Sequence, residues 1–423
     1  MTRAGPRRPT ARGGPRLRAL RGQTFAALGN RNFRRYISGQ AVSVVGTWMQ
    51  IVAQGWLVLQ LTGSGTQIGL VAALQTVPML LLGPYGGVVA DRVDKRRLMV
   101  ILQSLMGVQA LAMGVLAATG AIEIWHVYVL AVVLGLNQCF ENPSRQAFMM
   151  ELVGAEHVRN AVSLQSTLNS ASRVLGPAAA GVVIGVGGLP LCFLLNAASF
   201  VVVVATLLTL DTSALRPTPP APRTRGQLRA GLRYAATTPA VAVPLVMMAL
   251  MGTFTYEFKV VLPVVADKVF RAGASGYGFM TAAMGIGAVA GGLAVATWGR
   301  TGVRALTGTA VAFGVCVALT AAAPALWAAV ALLVLVGVFS VGFTATANST
   351  LQLAADPSMR GRVMALWGVA FLGSTAVGGP IAGWVAENLG GRAGLALGAL
   401  ACAAAVLIGA GRMLRDGRAA AAA

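Results

Sequence analysis

Apolar runs of near twenty residues, set apart by short polar stretches, recur from residue 37 almost to the end of the chain. As a helix rising about 1.5 Å per residue, each run is long enough to cross a hydrocarbon core of about 30 Å. The pattern predicts spans at 37–60, 67–90, 98–119, 124–148, 160–186, 190–210, 240–265, 275–297, 303–322, 325–352, 363–386 and 393–411. An even number of crossings puts both termini on one side. The expected fold is an all-α polytopic membrane protein, with twelve transmembrane helices in two pseudo-symmetric six-helix bundles.

One long polar connection, 211–239, interrupts the series and is rich in proline near 217–222. It divides the chain into a basic N-terminal tail 1–36, an N-terminal bundle 37–210, the linker 211–239, a C-terminal bundle 240–411 and a tail 412–423. A short amphipathic piece around Gly226–Tyr234 is expected to lie along the membrane face. The halves also repeat. Arg159 falls on Arg362, and Gly176-Pro177 on Gly379-Pro380, at an offset of 203, while the glycine pairs 86–87 and 291–292 repeat at 205. Paired halves of this kind suit alternating access around a central path.

Composition strengthens the membrane reading. Of 423 residues, 56% are hydrophobic and 11% charged, and the mean hydropathy is +0.73, against about 25% charged residues in a soluble domain. The formal net charge of +21 raises the question of nucleic acid. The bases sit in short segments between apolar runs instead of on one broad face, so no nucleic-acid partner is expected and membrane lipids are. Arg92–Arg97, Arg159, Arg216, Arg223, Arg225, Arg229, Arg233, Arg300, Arg304, Arg360 and Arg362 fall on the same side as the tails, and Lys268, Arg271 and Arg392 on the other. That bias places both termini in the cytoplasm and the chain in the inner, cytoplasmic membrane. The first 36 residues hold ten arginines and lack the cleavage pattern of a signal peptide.

Catalysis is not expected. Cys139, Cys192, Cys316 and Cys402 all lie inside predicted spans, and His126 and His157 have no ligand companions, so neither a disulfide framework nor a metal site is read. No Walker lysine followed by serine or threonine occurs, and no nucleophile constellation emerges. No cofactor is expected.

The rare polar residues of the spans carry the candidate chemistry. In GGVVADRVDKRR, the acid Asp91 ends span two and either caps a neighbouring helix or pairs with an arginine. Arg92, Lys95, Arg96 and Arg97 read as headgroup anchors. In FENPSRQAFMMELV, Glu141 and Arg145 stand four apart in the favourable order, although Pro143 is able to shift that register. Span five carries Asn169, Arg173, Gly176, Pro177 and Gly181. An intramembrane arginine needs a partner or a polar cavity, and Glu141 and Glu257 both qualify as the partner of Arg173. In TYEFKVVLP, Glu257 is the candidate for proton coupling or cargo contact, and Lys259, two positions on, points to another face. Gln50 and Gln54 form a polar stripe toward the central path. Among the aromatic residues, Trp48 and Tyr256 are the candidates for lining a cavity.

These segments resemble the major facilitator superfamily. GGVVADRVDKRR is similar to its Gly-x-x-x-Asp-Arg-x-Gly-Arg-Lys/Arg loop signature, with Gly87, Asp91, Arg92, Lys95 and Arg96 in register and Asp94 where the signature has glycine. The resemblance implies gating roles for those five residues. NFRRYISGQAVSVVGTWMQIVAQGWLVLQLTGS and NPSRQAFMMELVGAEHVRNAVSLQSTLNSASRVLGP resemble the enterobactin-exporter-like, or transmembrane secretion effector, branch. SRVLGPAAAG is similar to the exporters' span-five signature, with Ser172 and Ala180 replacing two of its glycines. Gly176, Pro177, Gly181, Gly379 and Pro380 are then helix-break and packing positions. Across about residues 30–412, the resemblance implies a proton-driven antiporter for efflux of a small amphipathic drug, siderophore or secondary metabolite, functional as a monomer. Proton-coupled uptake of a nutrient or metabolite and a non-transporting receptor are the other classes.

Overall fold

The computed structural model describes residues 26–216 and 227–422, and among these every regular element is helical. In chain order the helices are α1 Arg31–Thr62, α2 Gly65–Arg92, α3 Lys95–Ala118, α4 Ile124–Leu208, α5 Gln227–Thr237, α6 Pro239–Phe254, α7 Phe258–Val264, α8 Gly273–Trp298, α9 Val303–Ala322, α10 Leu326–Ala354, α11 Arg360–Gly368, α12 Thr375–Asn388 and α13 Gly391–Ala422. Two π-helical turns, Val265–Val269 and Val369–Gly373, extend α7 and link α11 toward α12.

Local chemistry sets the boundaries. The Asn30 side chain accepts the Phe33 N–H at 3.0 Å and starts α1. Gly63, at φ 65, ends it by donating its N–H to Leu59 O at 2.7 Å. Ser64 immediately caps α2, accepting the Gln67 N–H at 3.3 Å, so the reversal needs only two residues. Asp94, the departure from the loop signature, accepts the Arg97 N–H at 2.7 Å and serves as the N-cap of α3.

The expectation of twelve transmembrane helices in two pseudo-symmetric six-helix bundles is corrected. Among the described residues ten helices are long and apolar enough to cross a membrane. The difference lies in α4, an 85-residue segment that takes in the expected spans 124–148, 160–186 and 190–210 and the polar stretches between them. Only two residues inside it leave helical geometry, Gly154 at φ 73, ψ 170 and Gly188 at φ 77, ψ 178. Glycine enters that region without a Cβ clash. Straight, α4 would run about 130 Å; with these breaks it packs against α1, α2, α3 and α8. Glu151, Glu156 and His157, expected in a loop, occupy helical turns on either side of Gly154. Polar residues mark where the chain meets water, which need not be where its helix stops.

Nor do the halves form two separate cores. One hydrophobic cluster extends from Met49 to Ala405 and draws on both. The halves meet along two helix pairs, α2 with α12 and α4 with α8. Small residues permit both approaches. A Cβ on Gly65 would lie 2.7 Å from Gly383 O, and one on Gly278 would lie 2.9 Å from Pro177 O. In lipid, where apolar surface gains nothing by leaving solvent, such backbone-close packing supplies much of the adhesion between helices. The outer surface is apolar: Val186 is 85% and Leu407 72% exposed.

The linker helix α5 is docked on the C-terminal half. Its Tyr234 hydroxyl accepts the Asp356 N–H at 3.1 Å, and Ala235 is buried with Val241, Leu351 and Val363. At the other end of the linker, Asn32 and Asp211 exchange hydrogen bonds at 2.8 and 3.0 Å. The Ser213 hydroxyl and N–H hold the Asp211 carboxyl below the usual carboxylate range.

Candidate functional site

The fifth membrane-crossing segment, Pro239–Val269, is discontinuous: α6 ends at Phe254, α7 begins at Phe258, and Thr255–Glu257 lie unwound between them. Side chains pin this break. The Thr255 hydroxyl donates to Gly398 O at 2.9 Å and the Tyr256 hydroxyl to Ser340 O at 2.7 Å. The Tyr256 ring stands edge-on to Phe313 and Phe371, with centroids 5.4 and 5.5 Å away. Irregular backbone at membrane depth survives only inside protein or beside a cavity, and here both conditions are met.

Glu257 lies at the end of the break and is 1% exposed. Neither carboxyl oxygen has a hydrogen-bond partner in the described structure, although Thr375 and Lys259 are its polar neighbours. It faces a narrow crevice with Phe254, Val317 and Leu395. Lys259, the next residue but one, is exposed and lines a different space, a cavity of about 200 Å³ shared with Gln50, Gln54, Gln75, Gln109 and Gln138. The expectation that the two side chains take different faces matches this geometry. The placement of the lysine in the cavity went unread in the sequence.

The cavity wall is organised by amides. Asn196 Nδ2 donates to Gln50 Oε1 at 2.6 Å, and Gln50 Nε2 donates to Gln109 Oε1 at 2.9 Å. Gln109 Nε2 is buried at the end of this chain without a partner. Gln50 and Gln54, read as a polar stripe, do line the cavity; Trp48 and Tyr256 are not among its lining residues.

Other candidates make contacts within the helix bundle. Glu141 and Arg145 pair at 3.5 Å despite Pro143, with Gln103 Nε2 donating to Glu141 at 3.4 Å and Arg145 Nη2 to Asn142 Oδ1 at 2.8 Å. Arg173 pairs with neither of its two expected acids; its guanidinium lies 5.2 Å from the Trp48 ring centroid. Gly176 packs on Trp48 and Val45, and Gly181 on Ser275 and Gly278 of α8. The helix continues through Pro177 and Pro380, so the breaks fall at Gly154 and Gly188 instead.

Of the five gating candidates, Gly87 and Asp91 lie outside the residues whose surroundings are described. Arg92 is the last residue of α2. Lys95 pairs with Glu151 at 3.2 Å, both side chains being nearly buried, and Arg96 donates to Leu207 O and Leu208 O at 2.8 Å each. These bases tie α3 to two distant turns of α4, beyond the headgroup role expected of them.

A second inter-half contact was not anticipated. Glu387, at the end of α12, accepts on one oxygen from the Ser64 hydroxyl at 2.6 Å, the Thr66 N–H at 3.0 Å and the Thr66 hydroxyl at 2.5 Å. Lys268 donates to Gly63 O at 3.0 Å beside it. Together with Gly65–Gly383, this latch closes the Gly63 end of the α2–α12 seam. Further along α2, Leu80 packs on Gly373, while nothing lies within 4 Å of where a side chain would begin on Gly83. Among the described residues no group of three or more His, Cys, Asp or Glu is placed to hold a metal ion.

A family model for transmembrane secretion effectors matches residues 22–423. The chain is 29% identical over 182 residues to the uncharacterized MFS-type transporter YfiS of Bacillus subtilis (strain 168), spanning 42% of each protein, less than half of that relative's length. It is 26% identical over 359 residues to the enterobactin exporter EntS of Shigella boydii serotype 18, covering 83% of this chain and 84% of that one. A solved bacterial homologue of the iron transporter ferroportin, in an inward-facing state, superposes with a TM-score of 0.68 at 16% identity over 90% of this chain and 98% of the other. That likeness is one of fold. The family match over nearly the whole length and the membrane-crossing helices agree: the chain belongs to the transmembrane secretion effector family of MFS-type, multi-pass membrane proteins.

Proposed function

We propose that this chain exports a small amphipathic compound across the cytoplasmic membrane in exchange for protons, with both termini in the cytoplasm. The observation that carries this reading is the division of labour at the helix break: Lys259 reaches the central cavity while Glu257 is sealed from it. A carboxylate that exchanges its proton only when cargo cannot leave the cavity, and the reverse, is what obligatory exchange requires. Export, not uptake, is favoured by similarity to an enterobactin exporter over 83% of the chain.

In the cycle, the state with the Gly63 end closed by Glu387 is the one that admits cargo from the cytoplasm. Movement of segment 37–210 against segment 240–411 breaks the latch and opens the cavity outward. Glu257 then takes up a proton from the outside and releases it on return, so the proton gradient drives the cycle. The basic residues on the Arg92 side keep that side cytoplasmic. A monomer contains every group this cycle uses.

The test is direction. Everted membrane vesicles with an acid interior should accumulate members of a panel of anionic, neutral and cationic amphipaths, and right-side-out vesicles should not. Accumulation confined to right-side-out vesicles would establish uptake instead.

A further inference from the structure

Resting on that transport reading, we infer that the cargo carries an acidic group, and that Lys259 and the free amide of Gln109 bind it. Three features of the cavity lead here. First, its one titratable lining residue among those described is Lys259, which makes no ion pair or hydrogen bond in the described structure; Glu257, two residues away, lines the separate crevice. Among the described residues no aspartate or glutamate lines the cavity. A cation in the membrane interior is costly unless it is paired or hydrated, and it marks the path of a ligand of opposite sign.

Second, the amide relay is polarised. Asn196 donates to Gln50 and Gln50 donates to Gln109, so Gln109 spends its oxygen within the wall and leaves Nε2–H without a partner. With these amide orientations the open end of the relay is a donor. Gln109 is 3% exposed, and Nε2 is among the buried polar atoms without a partner. A buried donor left without an acceptor is destabilising, and a ligand acceptor removes that cost. A cation and an unused donor lining one cavity call for an acceptor with negative charge: a carboxylate, sulfonate, phosphate or ionised phenol.

Third, size limits the bound portion. The cavity of about 200 Å³ lies below the range of about 300–1,000 Å³ typical of drug-sized ligands. It holds a compact acidic head, with Ile51, Val58 and Val71 offering apolar wall to a short ring or chain. Electrostatically, an anion at Lys259 and a proton on Glu257 favour one another. Exchange in opposite directions therefore requires that the two sites open to opposite sides at different steps, and they line separate spaces here.

Thermal unfolding of the purified full-length protein in detergent tests the class. The probes are benzoate, benzenesulfonate and phenyl phosphate, against benzamide and benzylamine as neutral and basic counterparts of the same size. The acids should raise the unfolding temperature and the counterparts should not. Lys259→Met should weaken benzoate binding at least about tenfold, as expected for a lost charge-assisted hydrogen bond. Lys259→Arg should retain it, and Gln109→Leu should weaken all three acids. Size-exclusion elution matching wild type certifies each variant as folded. Equal stabilisation by benzamide or benzylamine, an acid effect that survives Lys259→Met, or no effect from any acid overturns the inference. Proton-coupled flux confined to neutral or basic amphipaths would remove this assignment and leave export standing, whereas no proton-coupled flux at all would remove the reading beneath it.

Discussion

Glu257 and Lys259 are two residues apart at one helix break, yet the carboxylate is 1% exposed in a crevice of the C-terminal half while the ammonium is exposed in the central cavity. Their roles should separate on mutation. Glu257→Gln removes the exchangeable proton but leaves the cavity wall intact. Counterflow of labelled against unlabelled cargo should persist in this variant, while accumulation driven by a pH gradient falls at least about tenfold, the effect of losing about 1.4 kcal/mol of drive. Wild-type pH dependence in Glu257→Gln would move the proton site elsewhere.

The latch at Glu387 gives a second prediction. One carboxylate oxygen takes three hydrogen bonds from Ser64 and Thr66, which stand more than 300 residues away in sequence. Bonds to a charged acceptor contribute about 1.5–3 kcal/mol each, so Glu387→Ala should raise the outward-open population by about tenfold or more. A cysteine placed at Gln54 and labelled from outside with a membrane-impermeant thiol reagent reports this. The native cysteines are all buried and give little background. Labelling should quicken in the double variant; an unchanged rate would make the contact incidental.

Close packing along the same seam predicts a related effect by a different cause. A Cβ on Gly69 would collide with Gly379 O, so Gly69→Val forces α2 from α12. Overpacking costs about 1–3 kcal/mol. It should raise Gln54→Cys labelling from outside, as loss of Glu387 does, and slow cargo exchange. Faster exchange would show that the seam does not limit closure.

On the opposite face, Lys95 and Glu151 form a nearly buried ion pair across α3 and α4. Lys95→Met leaves the acid unpaired, a loss of about 3–5 kcal/mol for a buried pair, and should lower the unfolding temperature by several degrees. Lys95→Met combined with Glu151→Leu should recover most of it. A double variant as unstable as the sum of the singles would mean the two residues act independently.

Much of this was legible from residue order, for physical reasons that vary by site. The apolar runs locate membrane segments because lipid admits little else, and the 141/145 spacing foretells an ion pair because helix geometry is local. Gln50 and Gln54 were found by the same local rule. Gln75, Gln109 and Gln138 were missed: they sit on three different helices and converge only through packing. The recurrence of glutamine in otherwise apolar spans was the signal available. Lys259 was seen but set aside, although a lysine within a span is itself a marker of a polar path. Glu387 went unread because its partners, Ser64 and Thr66, are more than 300 residues away in sequence. The breaks at Gly154 and Gly188 were hidden among 53 glycines, since positive φ leaves no mark in composition.

The central claim is exchange of cargo for protons, and one recording tests it. Everted vesicles containing the wild-type chain, energised to an acid interior, are given an acidic amphipath while internal pH and internal cargo are followed together. The account predicts that cargo enters as the interior becomes more alkaline, and that both signals vanish in Glu257→Gln. Cargo entry with no change in internal pH would contradict it.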